Sequence, residues 1–127
     1  MGKFLLERAA HVDFYAQDNN AALADFGSYC FMHAQKCSTV HRATNLQYLQ
    51  AMCAPSSHVA FIISRTGENR QLIEMAEHLN KQKNRIILLT SVEKSTLAGL
   101  AEVSINVASA DSFSKLGSLV FLVGAKY

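Results

Sequence analysis

The sequence predicts an α/β domain of three layers, a doubly wound sheet of five parallel strands in the order 2-1-3-4-5. Three observations lead there. Short apolar runs alternate along the chain with segments whose apolar residues recur at helical spacing. Two runs, Val59-Ala60-Phe61-Ile62-Ile63 and Ile86-Ile87-Leu88-Leu89, are continuously apolar, the texture of strands buried on both faces. Two others, residues 38–42 and 103–107, are half polar or cleanly alternating, the texture of sheet edges. With strands numbered in chain order, two and five are then the edges, and the order follows.

Each element has its own signal. Residues 4–10 read as the last turns of a helix, with Phe4, Leu5 and Ala9 on its apolar side. Residues 11–15 form the first strand, and Gln17-Asp18-Asn19-Asn20 supplies turn chemistry, with Asn20 as N-cap of a helix over 21–35. That helix is apolar over a wide arc through Leu23, Phe26, Cys30, Phe31 and Ala34. Strand 38–42 comes next. Thr44-Asn45-Leu46-Gln47 has the form of a capping box, and Leu46, Leu49, Met52 and Cys53 predict the buried face of its helix, which Pro55 ends. After strand 59–63 and the turn at 64–69, Leu72, Met75, Ala76 and Leu79 mark the next helix, closed by the basic run Lys81-Gln82-Lys83-Asn84. Strand 86–89 runs into Thr90-Ser91, a short helix spans 95–101, and strand 103–107 precedes a final helix capped by Asp111-Ser112.

Composition narrows the function. The chain has 127 residues, half of them hydrophobic, which suits one domain with a proper core. No apolar run approaches the ~20 residues that span a bilayer, and the charged opening Met1-Gly2-Lys3-Phe4-Leu5-Leu6-Glu7 is no signal peptide. A net charge of +2 with no basic run argues against nucleic-acid binding by this chain. Cys30, Cys37 and Cys53 are odd in number and lack CxxC spacing, so a reducing, cytoplasmic setting is expected, with no metal site and no cofactor.

The candidate site is the turn Ser64-Arg65-Thr66-Gly67-Glu68-Asn69. It joins an apolar strand to a helix, so the first N–H groups of that helix are expected to point outward at its positive end. Gly67 permits close backbone approach, and Ser64 and Thr66 add hydroxyl donors. That is anion chemistry, most plainly phosphate. In the strand order 2-1-3-4-5 the switch point lies between strands one and three, which brings the 16–20 and 64–69 loops to one crevice. Capping alone is the plainer account of the same residues.

Other phosphate chemistries fit less well. There is no G-x-G-x-x-G with a following acid, and no G-x-x-x-x-G-K-S/T. A phospho-receiver needs an acceptor Asp where strand three here ends in Ser64. Histidines 11, 33, 41, 58 and 78 show no i, i+4 pair and are expected to be single, partly exposed residues. Asp13 lies inside a central strand, so it is expected to be hydrogen-bonded by a neighbour and structural. Glu68 is the only carboxylate of the turn; it reads as a first-turn acid favoured by the helix dipole, with a catalytic base as the sharper alternative.

These residues carry a family likeness. Residues 59–69, with Ser64-x-Thr66-Gly67-Glu68-Asn69, resemble the S-x-S/T-G-x-S/T loop of sugar isomerase (SIS) domains. The run Ile86-Ile87-Leu88-Leu89-Thr90-Ser91, then Ser95-Thr96-Leu97-Ala98 and Ala101-Glu102-Val103, is similar to that family's later passage. The likeness covers nearly the whole chain from His11. In detail, with Ser114-Lys115-Leu116-Gly117-Ser118, it is most similar to the C-terminal domain of RpiR-type transcriptional regulators. The resemblance implies a phosphosugar ligand held by Ser64, Thr66, Gly67, Glu68 and Asn69, with Gln17 and Asn20 of the first loop facing it. Two departures stand out: Ala16-Gln17-Asp18-Asn19-Asn20 replaces the family's G-x-G-x-S, and Asn69 replaces a Ser or Thr.

The resemblance therefore implies an effector domain in carbohydrate metabolism that senses a sugar phosphate, without catalytic residues of its own. A phosphosugar isomerase of the same fold is the alternative, and a domain that only dimerises is a third. The resemblance places DNA binding in an N-terminal helix-turn-helix domain that is not part of residues 1–127. A homodimer is expected through the final helix, whose Phe113, Leu116, Leu119, Val120, Phe121, Leu122 and Val123 exceed one buried stripe. No membrane partner is expected.

Overall fold

A computed structural model describes residues 8–16, 20–42, 44–107 and 114. Strands and helices alternate as β1 (His11–Ala16), α1 (Ala21–His33), β2 (Ser38–His41), α2 (Thr44–Cys53), β3 (His58–Ile63), α3 (Arg70–Lys81), β4 (Arg85–Thr90), α4 (Thr96–Leu100) and β5 (Val103–Asn106). All neighbouring strands pair in parallel, in the order β2-β1-β3-β4-β5. The expected sheet is therefore the observed one, with the half-polar strands at its edges. The helix read at 4–10 lies outside the described residues up to residue 7, and Arg8 is helical. The final helix, apart from Ser114, also lies outside them.

Period-two alternation divides the core between two faces. On one face, Val12, Phe14, Val59, Phe61, Ile63, Ile87 and Leu89 pack beneath Leu23, Ala24 and Phe31 of α1. Phe14 and Phe61 stack there with ring centroids 5.0 Å apart. On the other face, Tyr15, Ala60, Ile62, Ile86 and Leu88 meet Ala51 of α2, Leu72, Met75, Ala76 and Leu79 of α3, and Leu97 of α4. β1, β3 and β4 are thus covered on both sides, which is why their sequences hardly alternate in polarity.

Helix α2 corrects its sequence reading. Leu46, Leu49, Met52 and Cys53 are exposed, Leu49 at 55%, while Gln47 is fully buried. Gln47 does not reach back along its own helix as a capping box requires. Its Nε2 donates to the carbonyls of Ala16 (2.9 Å) and His41, at the carboxyl ends of β1 and β2. Buried carbonyls at two strand ends need donors, and supplying them outweighs burying three apolar side chains at this helix. Asn20 is a second correction. It occupies the N-cap position of α1, but its side chain makes no capping hydrogen bond.

Helices α1 and α3 share a terminator. After α1, Lys36 N–H donates to Phe31 O (2.8 Å) and Gln35 N–H to Met32 O (3.0 Å). After α3, Asn84 N–H donates to Leu79 O (2.9 Å) and Lys83 N–H to Asn80 O (3.1 Å). Both are Schellman closures, and both place a non-glycine in the left-handed region, Gln35 at φ 65° and Lys83 at φ 70°. Hence α1 ends at His33 and not at residue 35. Asn84, held in place by this turn, donates from Nδ2 to Pro55 O (2.7 Å) and His58 O (3.2 Å), fixing the entry to β3. Lys83 is exposed on the surface of the turn, and a left-handed non-glycine costs roughly 1 kcal/mol. Lys83→Gly is therefore expected to stabilise the domain by about 0.5–1 kcal/mol, read as a higher urea midpoint with unchanged slope.

Candidate functional site

The 64–69 turn leaves the carboxyl end of β3. Ser64 N–H donates to Leu89 O (3.1 Å), extending the β3–β4 pairing by one step. The chain then reverses through Gly67 at φ 72°. A Cβ at that position would lie 2.1 Å from Ser95 Oγ, so glycine is required by space as well as by backbone conformation. The turn is tied to its neighbours at three carbonyl or carboxylate positions. Arg65 O accepts from Ser91 N–H (3.1 Å) and Thr90 Oγ1 (3.1 Å), and Gly67 O accepts from Leu97 N–H (3.1 Å). Glu68 supplies the third.

Inside the turn, the hydroxyls engage the backbone. Ser64 Oγ accepts from Gly67 N–H (3.0 Å), Thr66 Oγ1 accepts from Glu68 N–H (3.2 Å), and Asn69 Oδ1 accepts from Leu72 N–H (3.0 Å). The N–H groups of Gly67 and Glu68, expected to point outward toward a ligand, are directed instead at these oxygens. A hydroxyl oxygen that accepts a backbone N–H still has its own proton to donate. Donation from this turn is therefore shifted from amides to the hydroxyls of buried Ser64 and exposed Thr66. Asn69 is the N-cap of α3 and fills the role a Ser or Thr would have there. β1 and β3 end side by side at Ala16 and Ile63, so Asn20 and Ser64 follow neighbouring strand ends. Gln17 lies outside the described residues.

Glu68 is not in the first turn of its own helix, because α3 begins at Arg70. Its carboxylate reaches α4 instead, accepting from Thr96 N–H (3.0 Å) and Thr96 Oγ1 (2.7 Å). Ser95 Oγ accepts from Ala98 N–H (3.1 Å) as the N-cap of the same short helix. The two bonds from Thr96 hold the Glu68 carboxyl below its ordinary range, the opposite of what a general base for carbon acids requires. A carboxyl with a lowered folded-state pKa contributes stability above its unfolded value, near 4.5, and loses it as pH falls through the lowered one. Glu68→Gln is accordingly expected to lower the melting temperature at pH 7 and to match the parent near pH 3, in paired thermal scans.

The histidines require a further correction. His11, His41 and His58 are not single surface residues; all three gather on Asp13. His58 Nδ1 lies 2.8 Å from Asp13 Oδ2, while His41 Nε2 and His11 Nε2 lie 3.0 and 3.5 Å from Oδ1. Asp13 is hydrogen-bonded by neighbours, as expected of a carboxylate in a central strand. Burial pushes its carboxyl up, but the bonds and charges of His41 and His58 outweigh that and hold it below the ordinary range. Burial lowers His11, against the pull of Asp13. The missed signal was strand periodicity. His11 and Asp13 stand two apart on β1, and the register sets His11 beside His58 and Tyr15 beside His41.

The family model of the SIS domain matches residues 5–124. This chain belongs to the SIS domain family. The SIS domain is 25% identical over 114 residues to an uncharacterized HTH-type transcriptional regulator of Caldanaerobacter subterraneus subsp. tengcongensis, a match covering 90% of this chain and 40% of that protein. The chain thus spans two fifths of the length of that curated relative. Among solved structures, it is similar to E. coli CFT073 c3406 in complex with a sugar phosphate (TM-score 0.85, 17% identity, 98% of this chain and 74% of the other). It is similar also to the Vibrio vulnificus NanR protein complexed with ManNAc-6P (TM-score 0.83, 17% identity, 98% and 50%). A third is the sugar isomerase domain of the RpiR transcription factor from Sphaerobacter thermophilus (TM-score 0.78, 16% identity, 98% and 73%). Among the described residues no helix is long and apolar enough to cross a membrane.

Proposed function

We propose that this SIS domain is the sugar-phosphate-binding effector domain of an RpiR-type transcriptional regulator, acting in the cytoplasm on genes of carbohydrate metabolism. The observation that carries the reading is the 64–69 turn, a braced strand-to-helix connection at the switch point with two hydroxyls oriented by backbone N–H groups. Ser64, Thr66 and Asn69 donate to the phosphate, Gly67 gives it room, Glu68 braces the turn, and Gln17 and Asn20 face it from the first loop. Sugar phosphates bound by the c3406 and NanR structures support the ligand class. The HTH-type relative supports the regulatory role, with DNA contacted through a separate N-terminal domain. No cofactor enters this reading.

Hydrogen bonds to a charged group contribute on the order of 1.5–3 kcal/mol each. Ser64→Ala combined with Thr66→Ala is therefore expected to weaken binding of a responsive sugar phosphate at least a hundredfold in calorimetry, with the circular dichroism spectrum kept. Equal affinity in the double variant would remove the phosphate from this turn. The same ligands, incubated with the unmutated chain and followed by NMR, are expected to stay unconverted. Aldose–ketose interconversion that disappears in Glu68→Gln would replace the sensor by an isomerase.

The effector domain is further proposed to form a homodimer through its final helix, on the apolar composition of residues 113–123. Phe121→Glu is expected to yield monomers in sedimentation velocity at tens of micromolar, and a monomeric parent at that concentration would rule the dimer out.

A further inference from the structure

We propose that His11, Asp13 and His58 form a binding site for a divalent first-row transition ion of the zinc class, at the amino-terminal end of the sheet. The site is separate from the phosphate turn. His58 and Ser64 are six residues apart on one strand, on the order of 20 Å at ~3.3 Å per residue.

The ligand set is brought together by pairing alone. His11 and His58 are partners across the β1–β3 register, and Asp13 is the next residue of β1 on the same face. One ligand atom from each lies within 4.8 Å of the other two. A tetrahedral ion with bonds of ~2.0–2.2 Å holds its ligand atoms about 3.4 Å apart, so only small side-chain rotations separate this arrangement from a coordinated one. The two rings stack, with centroids 4.6 Å apart and planes 27° from parallel, and each turns a nitrogen toward the carboxylate. Two imidazoles and one carboxylate suit zinc and its neighbours; an oxygen-seeking ion such as magnesium is poorly matched.

The surroundings fit an ion with an open position. His41 lies outside the three-atom group but bonds Asp13 Oδ1 at 3.0 Å, with its ring stacked on Tyr15 at 4.9 Å. It is a positioning residue for the carboxylate, the outer partner that metal-binding side chains ordinarily have. The cluster lines a cleft of about 530 Å³, shared with Thr39 and Gln47, which leaves space for a fourth ligand. Gln47 Oε1 is buried there with no hydrogen-bond partner among the described residues. Both protons of its amide go to backbone carbonyls, so that oxygen calls for a donor, as a water carried on an ion would be.

The test uses the full chain, freed of metal with a chelator and titrated calorimetrically with zinc chloride, then with cobalt to read coordination in the visible spectrum. One zinc per chain is expected, with a tetrahedral cobalt spectrum and no response to magnesium. His11→Ala with His58→Ala should weaken zinc at least a hundredfold, and His11→Ala alone, a partly exposed position, serves if the double variant fails to fold. His41→Gln should keep one ion per chain and the cobalt spectrum while losing tenfold to a hundredfold in affinity. Cys37→Ser with Cys53→Ser, which removes the exposed thiols, should leave binding intact. Absence of saturable zinc binding, or equal affinity in His11→Ala, would overturn the site.

Discussion

The six-step parallel pairing of β1 with β3 is the constraint from which both polar centres of this domain follow. At one end it sets His11 against His58, with Asp13 one step further along the same face. At the other it brings Ala16 and Ile63 level, so the connections that leave these strands start from one crevice. Between the ends the pairing is wholly apolar on the α1 side, where Phe14 stacks on Phe61. A one-residue slip would turn Asp13 into that aromatic layer and Phe14 into the histidine cluster. Register is therefore held by both faces at once.

Sheet order and the place of the candidate site were legible because they rest on strand texture, which is local. Val59-Ala60-Phe61-Ile62-Ile63 could be central only if both faces were covered, and the half-polar 38–42 and 103–107 stretches could only be edges. The inverted face of α2 was not legible. Leu46, Leu49 and Met52 form a convincing apolar stripe, and nothing local shows that Gln47 is needed by two carbonyls 31 and 6 residues away. Helical spacing reports what a helix offers; the demand of distant strand ends decides what it buries.

The candidate site was read correctly as a place and incorrectly as a set of donors. Ser64, Thr66, Gly67 and Asn69 stand where the turn requires them, but the amides expected to face outward are satisfied within the turn. Glu68 showed the same limit, since its partner Thr96 is 28 residues further along and belongs to another helix. The histidine cluster was hidden for a related reason. A search at helical spacing passes over residues that only a parallel register assembles, and three strands contribute here.

The bracing of the 64–69 turn bears on the entropy of recognition. Glu68 caps α4, Gly67 O accepts from Leu97, and the missing Cβ of Gly67 is the room that Ser95 Oγ occupies. The loop and α4 are consequently one unit, and the conformational freedom of the loop is already surrendered when the chain folds. A guest arriving at such a surface has little ordering left to impose, so a larger share of its contact energy is retained as affinity. The reverse also holds. A change at Ser95 or Thr96, on a helix with no hydroxyl in the turn, reaches the crevice as lost rigidity, and it would be felt as a weaker grip without any altered contact.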